Sequence, residues 1–347
     1  MKRKDFIKSI GLLSTLPIAS CSTIVSSTNN NLTSAKIIKP HRLKKGDTVG
    51  LISPGSYITK AQLQESVENL ESIGLKAFYT NTILHKYGYL AGTDKERAED
   101  INRMFADKNI KGIFAARGGY GCSRILPMLD YKMIKQNPKV IIGYSDITAL
   151  LYGIYSQTGL VTFHGPVGIS TFNEYSNKHV KNILFNPHKT YTMKNLPDDE
   201  NKINVIKSGI AKGKLVGGNL SIVVTMVGTR YDVDLKNKIV FLEDVGEEPY
   251  RIDRMLTHLL EATNIKQAAG IALGVFNNCE IKKDDPEFEN SLTLQEVFKD
   301  RFGKLNIPVI SGLSFGHISN KFTLPFGIKA ELNTSDKSLT LLENAVI

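Results

Sequence analysis

The chain has 347 residues, a formal net charge of +10 from 44 basic and 34 acidic side chains, and only three cysteines. That length supports two domains with sizeable cores. Its lysines are scattered rather than gathered into runs interleaved with aromatics, which argues against a nucleic-acid partner. Neither H-E-x-x-H nor C-x-x-C occurs, so a metalloenzyme is not expected.

Residues 1–20 read as an export signal. Lys2-Arg3-Lys4 is a positive start, and the apolar stretch that follows, Ile10 to Ile18, is too short to span a bilayer. Ile18-Ala19-Ser20-Cys21 then has the form of a bacterial lipobox, in which cleavage precedes a cysteine that becomes lipidated. The expectation is an exported protein held by a lipid on Cys21 at the periplasmic face of a bacterial membrane. Residues 21–38, rich in Ser, Thr and Asn, read as a flexible tether.

From 39 to 170 strand-like and helix-like stretches alternate, the signature of a parallel α/β sheet. Residues 48–53 form the first strand, and Thr59 with Gln62 makes a capping box for a helix ending at Gly74. A short strand over 76–80 follows, then a helix capped by Thr93 or Asp94 and a strand over 112–116. That strand runs into Arg117-Gly118-Gly119-Tyr120-Gly121. Val140-Ile141-Ile142 is β-branched and apolar on both faces, as suits a buried central strand. It stops at Gly143, and helical spacing begins at Asp146. Ser145 therefore falls on a sharp strand-to-helix turn, beside the free N–H groups of a helix N-terminus. The alternative is a serine that merely caps the helix.

Residues 171–205 are polar, with prolines and little periodicity, and read as a linker. The part from 206 to 347 is mixed. Gly217-Gly218-Asn219 opens a helix, and 238–242 is a strand leading into Glu243-Asp244-Val245-Gly246-Glu247-Glu248. Pro249 starts an amphipathic helix, and strands follow over 270–276, 308–310, 322–325 and 338–342.

A serine nucleophile needs a base within reach of its hydroxyl and an acid that orients the base. His317, in a glycine-flanked loop after a strand, is the leading base, and His164 is its rival. Glu243 at the end of an apolar strand is the leading acid, with Asp146, Asp244, Glu247 and Glu248 as competitors. Cys122 and Cys279 read as small buried residues.

Six segments occur here in fixed order: Tyr89-Leu90-Ala91-Gly92-Thr93, the Arg117–Gly121 turn, Gly143-Tyr144-Ser145-Asp146, Gly217-Gly218-Asn219-Leu220, Leu242-Glu243-Asp244 with the Tyr250–Leu256 run, and Gly316-His317. Together they resemble the serine LD-carboxypeptidase family, the muramoyl-tetrapeptide carboxypeptidases, from about Ile37 to the C-terminus. The resemblance implies a Rossmann-like N-terminal domain and a smaller mixed α/β C-terminal domain, with the active site between them. It implies a catalytic triad of Ser145, Glu243 and His317 and an oxyanion hole from the N–H groups of Asp146 and of the Gly118-Gly119 turn, Gly119 first. It also implies cleavage between the L-centre of a diamino acid and the terminal D-Ala of a murein tetrapeptide, without cofactor, by an enzyme that forms a homodimer. Arg117, Gly118 and Asn219 are candidate substrate contacts. Arg117 would hold the free carboxylate or serve as a structural ion pair, and Asn219 would bind substrate or cap its helix. A second branch of the family cleaves a peptidyl-adenylate antibiotic, microcin C, and commonly stacks the adenine on a tryptophan; this chain has none. An inactive, lipid-anchored murein-binding protein is the alternative from outside enzymology.

Overall fold

The computed structural model describes residues 36–197, 201–281 and 290–347. The export signal, Cys21 and the tether up to residue 35 lie outside the described residues. No helix among the described residues is long and apolar enough to cross a membrane.

The first half supplies strands β1 (Thr48–Ile52), β2 (Lys76–Phe78), β3 (Ile110–Ala115), β4 (Val140–Gly143) and β5 (Phe163–His164). The rest supplies β6 (Tyr191–Met193), β7 (Asn204–Lys207), β8 (Ile210–Asn219), β9 (Lys238–Val245), β10 (Gly270–Asn277), β11 (Val309–Ser311), β12 (Leu324–Pro325), β13 (Lys329–Asn333) and β14 (Ser338–Leu341). The first sheet has the order β12-β5-β4-β3-β1-β2, and only β12 runs antiparallel to its neighbour. The second, ordered β6-β14-β13-β8-β9-β10-β11-β7, has a parallel centre from β8 to β11 and antiparallel flanks. The architecture is thus mixed α/β, with a parallel-strand sheet and a second mixed sheet.

Central strands are apolar on both faces because helices or the other half of the molecule cover both. Val140, Ile141 and Ile142 of β4 are wholly buried, as are Ile239 to Leu242 of β9. Helices Lys60–Ser72 and Asp94–Ala106 both begin at reciprocal capping boxes, Thr59 with Gln62 and Thr93 with Glu96. The helix Ile147–Thr158 is apolar around most of its circumference and packs on both β4 and β8. Its first turn touches β8 at Gly218, where a Cβ would lie 2.5 Å from Thr148 Cγ2, at a φ of +141°. One residue on, the Asn219 N–H donates to Thr148 Oγ1 at 3.1 Å. The absence of a side chain at Gly218 lets the two halves meet beside Ser145.

Two sequence expectations change here. The described residues between 171 and 205 are built into the fold instead of linking two bodies. They hold a helix, Glu174–Val180, capped by Asn173, then a wider turn, Lys181–Phe185, and then β6, which pairs with β14. Val180, Ile183 and Leu184 stand at helical spacing and are buried, a pattern obscured by the polar residues and prolines around it. Gly217 and Gly218 belong to β8, and the helix Leu220–Met226 starts only after Asn219 caps it.

The chain closes on itself. The Arg42 N–H donates to the Ile347 carbonyl at 2.8 Å, and the Ile347 N–H returns to Pro40 at 2.9 Å.

Candidate active site

Ser145 sits where β4 gives way to the helix Ile147–Thr158, and its φ is +64°. A residue with a Cβ pays about 1–2 kcal/mol for that left-handed backbone. Such strain persists where the surrounding structure enforces it, and it collects at functional sites. Here it turns the serine out beyond the carboxyl end of the sheet. Gly118 lies against it: a Cβ there would stand 3.0 Å from Ser145 Cβ and 3.2 Å from both Ser145 Oγ and the Asp146 nitrogen. Among the described residues the N–H groups of Gly119 and Asp146 have no hydrogen-bond partner. The buried Asp146 carboxylate is used elsewhere, accepting the Cys122 N–H at 2.9 Å, which fixes the far side of the glycine turn. Burial pushes that carboxyl above its ordinary value, and the hydrogen bonds from the Cys122 turn oppose the rise.

Glu243 ends the apolar run of β9 and is completely buried. Its Oε2 takes a hydrogen bond from His317 Nδ1 at 2.8 Å. The imidazole is one-fifth exposed, so one face of the pair is dry and the other open. Gly316 makes the approach possible: its φ is +116°, and a Cβ would fall 2.9 Å from Glu243 Oε2. A bridge from Gly316 to Val275 and the bond from Asn277 Nδ2 to the His317 carbonyl, 3.0 Å, hold the loop. Tyr144, next to the serine, sets its ring edge-on to His317 with centroids 4.8 Å apart. The elbow and the Glu243–His317 pair are thereby neighbours. Ser145 Oγ itself has no hydrogen-bond partner among the described residues, so the serine–imidazole link is the one not closed. Such links are commonly loose before substrate binds.

The rivals take other roles. His164 is 1% exposed, both ring nitrogens lack a partner, and it packs on Phe241 and Phe315. Burial, with the nearby His317 and Lys321, pushes it down to about 3, so it stays neutral in the core. Asp244 points away from His317 and accepts from Asn219 Nδ2 and from Ser221 N and Oγ. Glu247 and Glu248 pair with Arg251. Asn219 is buried and caps its helix, with its oxygen on the Ile222 N–H and its amide on Asp244. Arg117 is half-buried and donates to the Tyr57 carbonyl at 3.4 Å. Cys122 and Cys279 are buried free thiols.

Beside His317 and Tyr144 opens a cleft of about 760 Å³, lined also by Ser170, Asn277, Asn320 and Lys321. Neither Ser145 nor Arg117 lines it. Sequence reasoning missed Tyr144 and Lys321: nothing in their local patterns marks them, because both gain their place from contacts between distant segments.

Comparison with known proteins agrees over most of the chain. The LD-carboxypeptidase N-terminal domain family matches residues 49–165, and the LD-carboxypeptidase C-terminal domain family matches residues 212–332. A probable murein peptide carboxypeptidase of Bacillus subtilis is 38% identical over 308 residues, 87% of this chain and 94% of its own. A murein tetrapeptide carboxypeptidase of Pseudomonas aeruginosa is 30% identical over 298 residues, covering 82% and 92%. Among solved structures, the microcin C7 self-immunity protein MccF superimposes with a TM-score of 0.81 at 28% identity, over 89% of this chain and 100% of that one.

Proposed function

Because the chain belongs to the LD-carboxypeptidase family, we propose that it is a serine carboxypeptidase of murein tetrapeptides, cutting the amide between the L-centre of a diamino acid and the terminal D-Ala. The observation that carries the reading is the buried Glu243 hydrogen-bonded to His317 beside a strained serine elbow. Ser145 Oγ attacks the scissile carbonyl while His317 Nε2 takes its proton. Glu243 holds the tautomer and stabilises the imidazolium. The oxyanion is met by the N–H groups of Gly119 and Asp146, each worth roughly 3 kcal/mol. His317 then protonates the leaving amine, D-Ala departs, and water repeats the sequence on the acyl-enzyme.

Mass spectrometry of murein tetrapeptide incubated with the mature domain tests this. Tripeptide and free D-Ala should accumulate, and Ser145→Ala or His317→Ala should each remove nearly all turnover, because triad members act as a unit. Substantial turnover by Ser145→Ala would sink the mechanism. The likeness to the self-immunity protein keeps a peptidyl-adenylate as the second substrate to offer. The same reading has the enzyme exported, lipidated on Cys21, working at the envelope and paired as a homodimer. Partition into detergent phase, lost in Cys21→Ala, and the sedimenting mass of the mature domain test those parts.

A further inference from the structure

Lys321 is an unusual lysine. It is 4% exposed, follows the His317 loop by four residues, and lines the cleft beside the imidazole. Its place is fixed from behind. The Lys321 N–H donates to Ser176 Oγ at 3.0 Å, Ser176 Oγ donates to the Ser319 carbonyl at 2.9 Å, and Asn173 Nδ2 holds Asn320 Oδ1 at 2.7 Å. The ammonium rests 4.9 Å from the centroid of the Tyr144 ring, the ring that also abuts His317. Among the described residues it has neither an ion-pair partner nor a hydrogen-bond acceptor. Glu243 is the nearby charge, but its one bonded oxygen serves His317 and it makes no ion pair with the lysine. Lysines are almost never this buried without a partner. A ring face compensates part of the lost hydration, and an anion is needed for the rest.

Resting on the murein carboxypeptidase reading, we propose that Lys321 is the cation that receives a carboxylate of the substrate peptide in the cleft beside His317. Two sources share that chemistry. His317 must reach the leaving amine, so the carboxylate of the departing residue, two bonds from that nitrogen, passes close to the imidazole. A side carboxylate on the acyl part of the peptide is the other. In both cases the lysine fixes the scissile bond against the nucleophile, and its loss falls mainly on KM. Burial pushes the Lys321 ammonium down to about 8, with the charge of Glu243 opposing the fall. Binding through it therefore weakens in mild alkali. The groups facing it are Tyr144, His164, Glu243 and His317.

The test measures kcat/KM on three peptides: the free tetrapeptide, its C-terminal amide, and a tetrapeptide with its acyl-side carboxylates amidated. Wild type should lose at least tenfold on one of the two amidated peptides, and which one identifies the source. Lys321→Met should lose the same factor on the free tetrapeptide, through KM, and almost nothing further on that amidated peptide. Lys321→Arg, which keeps the charge, should retain most of the preference. Equal losses on all three peptides in Lys321→Met, or no loss on any, would overturn the assignment. Should Lys321→Met fail to fold, Lys321→Gln, which keeps the polar stem and removes the charge, is measured on the same three peptides: a loss confined to the free tetrapeptide and the unaffected amide supports the assignment, and equal losses on all three overturn it. Absence of D-Ala release by wild type from the free tetrapeptide is a different result. It overturns the carboxypeptidase reading, and this inference with it.

Discussion

The single side chain that Gly118 lacks leaves the space the reaction needs. A methyl there would sit 3.2 Å from both Ser145 Oγ and the Asp146 nitrogen, where the proposed mechanism places the oxyanion. Its backbone is not in the left-handed region, so alanine fits the fold but crowds the chemistry. Gly118→Ala should lower kcat about 10²- to 10³-fold, comparable with losing an oxyanion donor, while leaving the melting temperature within a few degrees. A collapse of melting temperature in step with activity would mean the glycine serves packing instead. His164 offers a second test at this scale. Its folded-state value lies near 3, well below the ordinary 6.5, so the unfolded chain binds more protons between those limits. Stability should therefore fall as the pH drops from about 6.5 toward 3, by about 2 kcal/mol at pH 5 from this residue alone. His164→Leu should flatten that part of a denaturation-versus-pH curve. An unchanged slope would show that His164 does not govern it.

At the level of elements, Asn219 joins three pieces of backbone: it ends β8, caps the helix Leu220–Met226 and holds Asp244. Asn219→Ala removes a cap worth about 1 kcal/mol and strips a buried carboxylate of one donor, for a loss of about 2–3 kcal/mol in urea denaturation. A loss below about 0.5 kcal/mol would show that Ser221 and the Val245 N–H suffice for Asp244. The elements most legible in sequence were those with local chemistry. Two capping boxes, the β-branched run of β4, the glycine stop and the serine after it all signal within a few residues of themselves. The helix Glu174–Val180 and the turn after it escaped because Val180, Ile183 and Leu184, their buried apolar residues at helical spacing, are diluted among polar ones. A strand over 322–325 was legible, but its place was not: β12 pairs with β5, some 160 positions earlier, and so joins the first sheet. The candidate site divides the same way. Ser145, Glu243 and His317 stand at ends of strands where sequence reasoning looks. Lys321 and Tyr144 acquire meaning only when the segment after 170 folds back to support the histidine loop.

The whole molecule is tied at its ends. β12 completes the first sheet from the far end of the chain, and Ile347 exchanges hydrogen bonds with Pro40 and Arg42. Neither half can be removed without opening the other, so calorimetry should show one cooperative transition for residues 36–347 rather than two. Deleting residues 345–347, which include the wholly buried Val346, should cost at least about 2 kcal/mol from the lost apolar burial alone. Two resolved transitions, or a deletion without effect, would show that the halves are energetically independent.

The helix Ile147–Thr158 also sets a direction. It leaves the Ser145 elbow and runs back to Gly159, whose carbonyl accepts the Ile38 N–H at 2.9 Å. Twelve helical residues rise about 18 Å, so the first described residues join the fold at the opposite end of that helix from Ser145. Ile38 thus enters the fold far from the strand-to-helix turn that carries Ser145. A bead or chip coupled through the N-terminus will leave substrate a clear approach, whereas coupling through a cysteine placed near Asn320 will cover it.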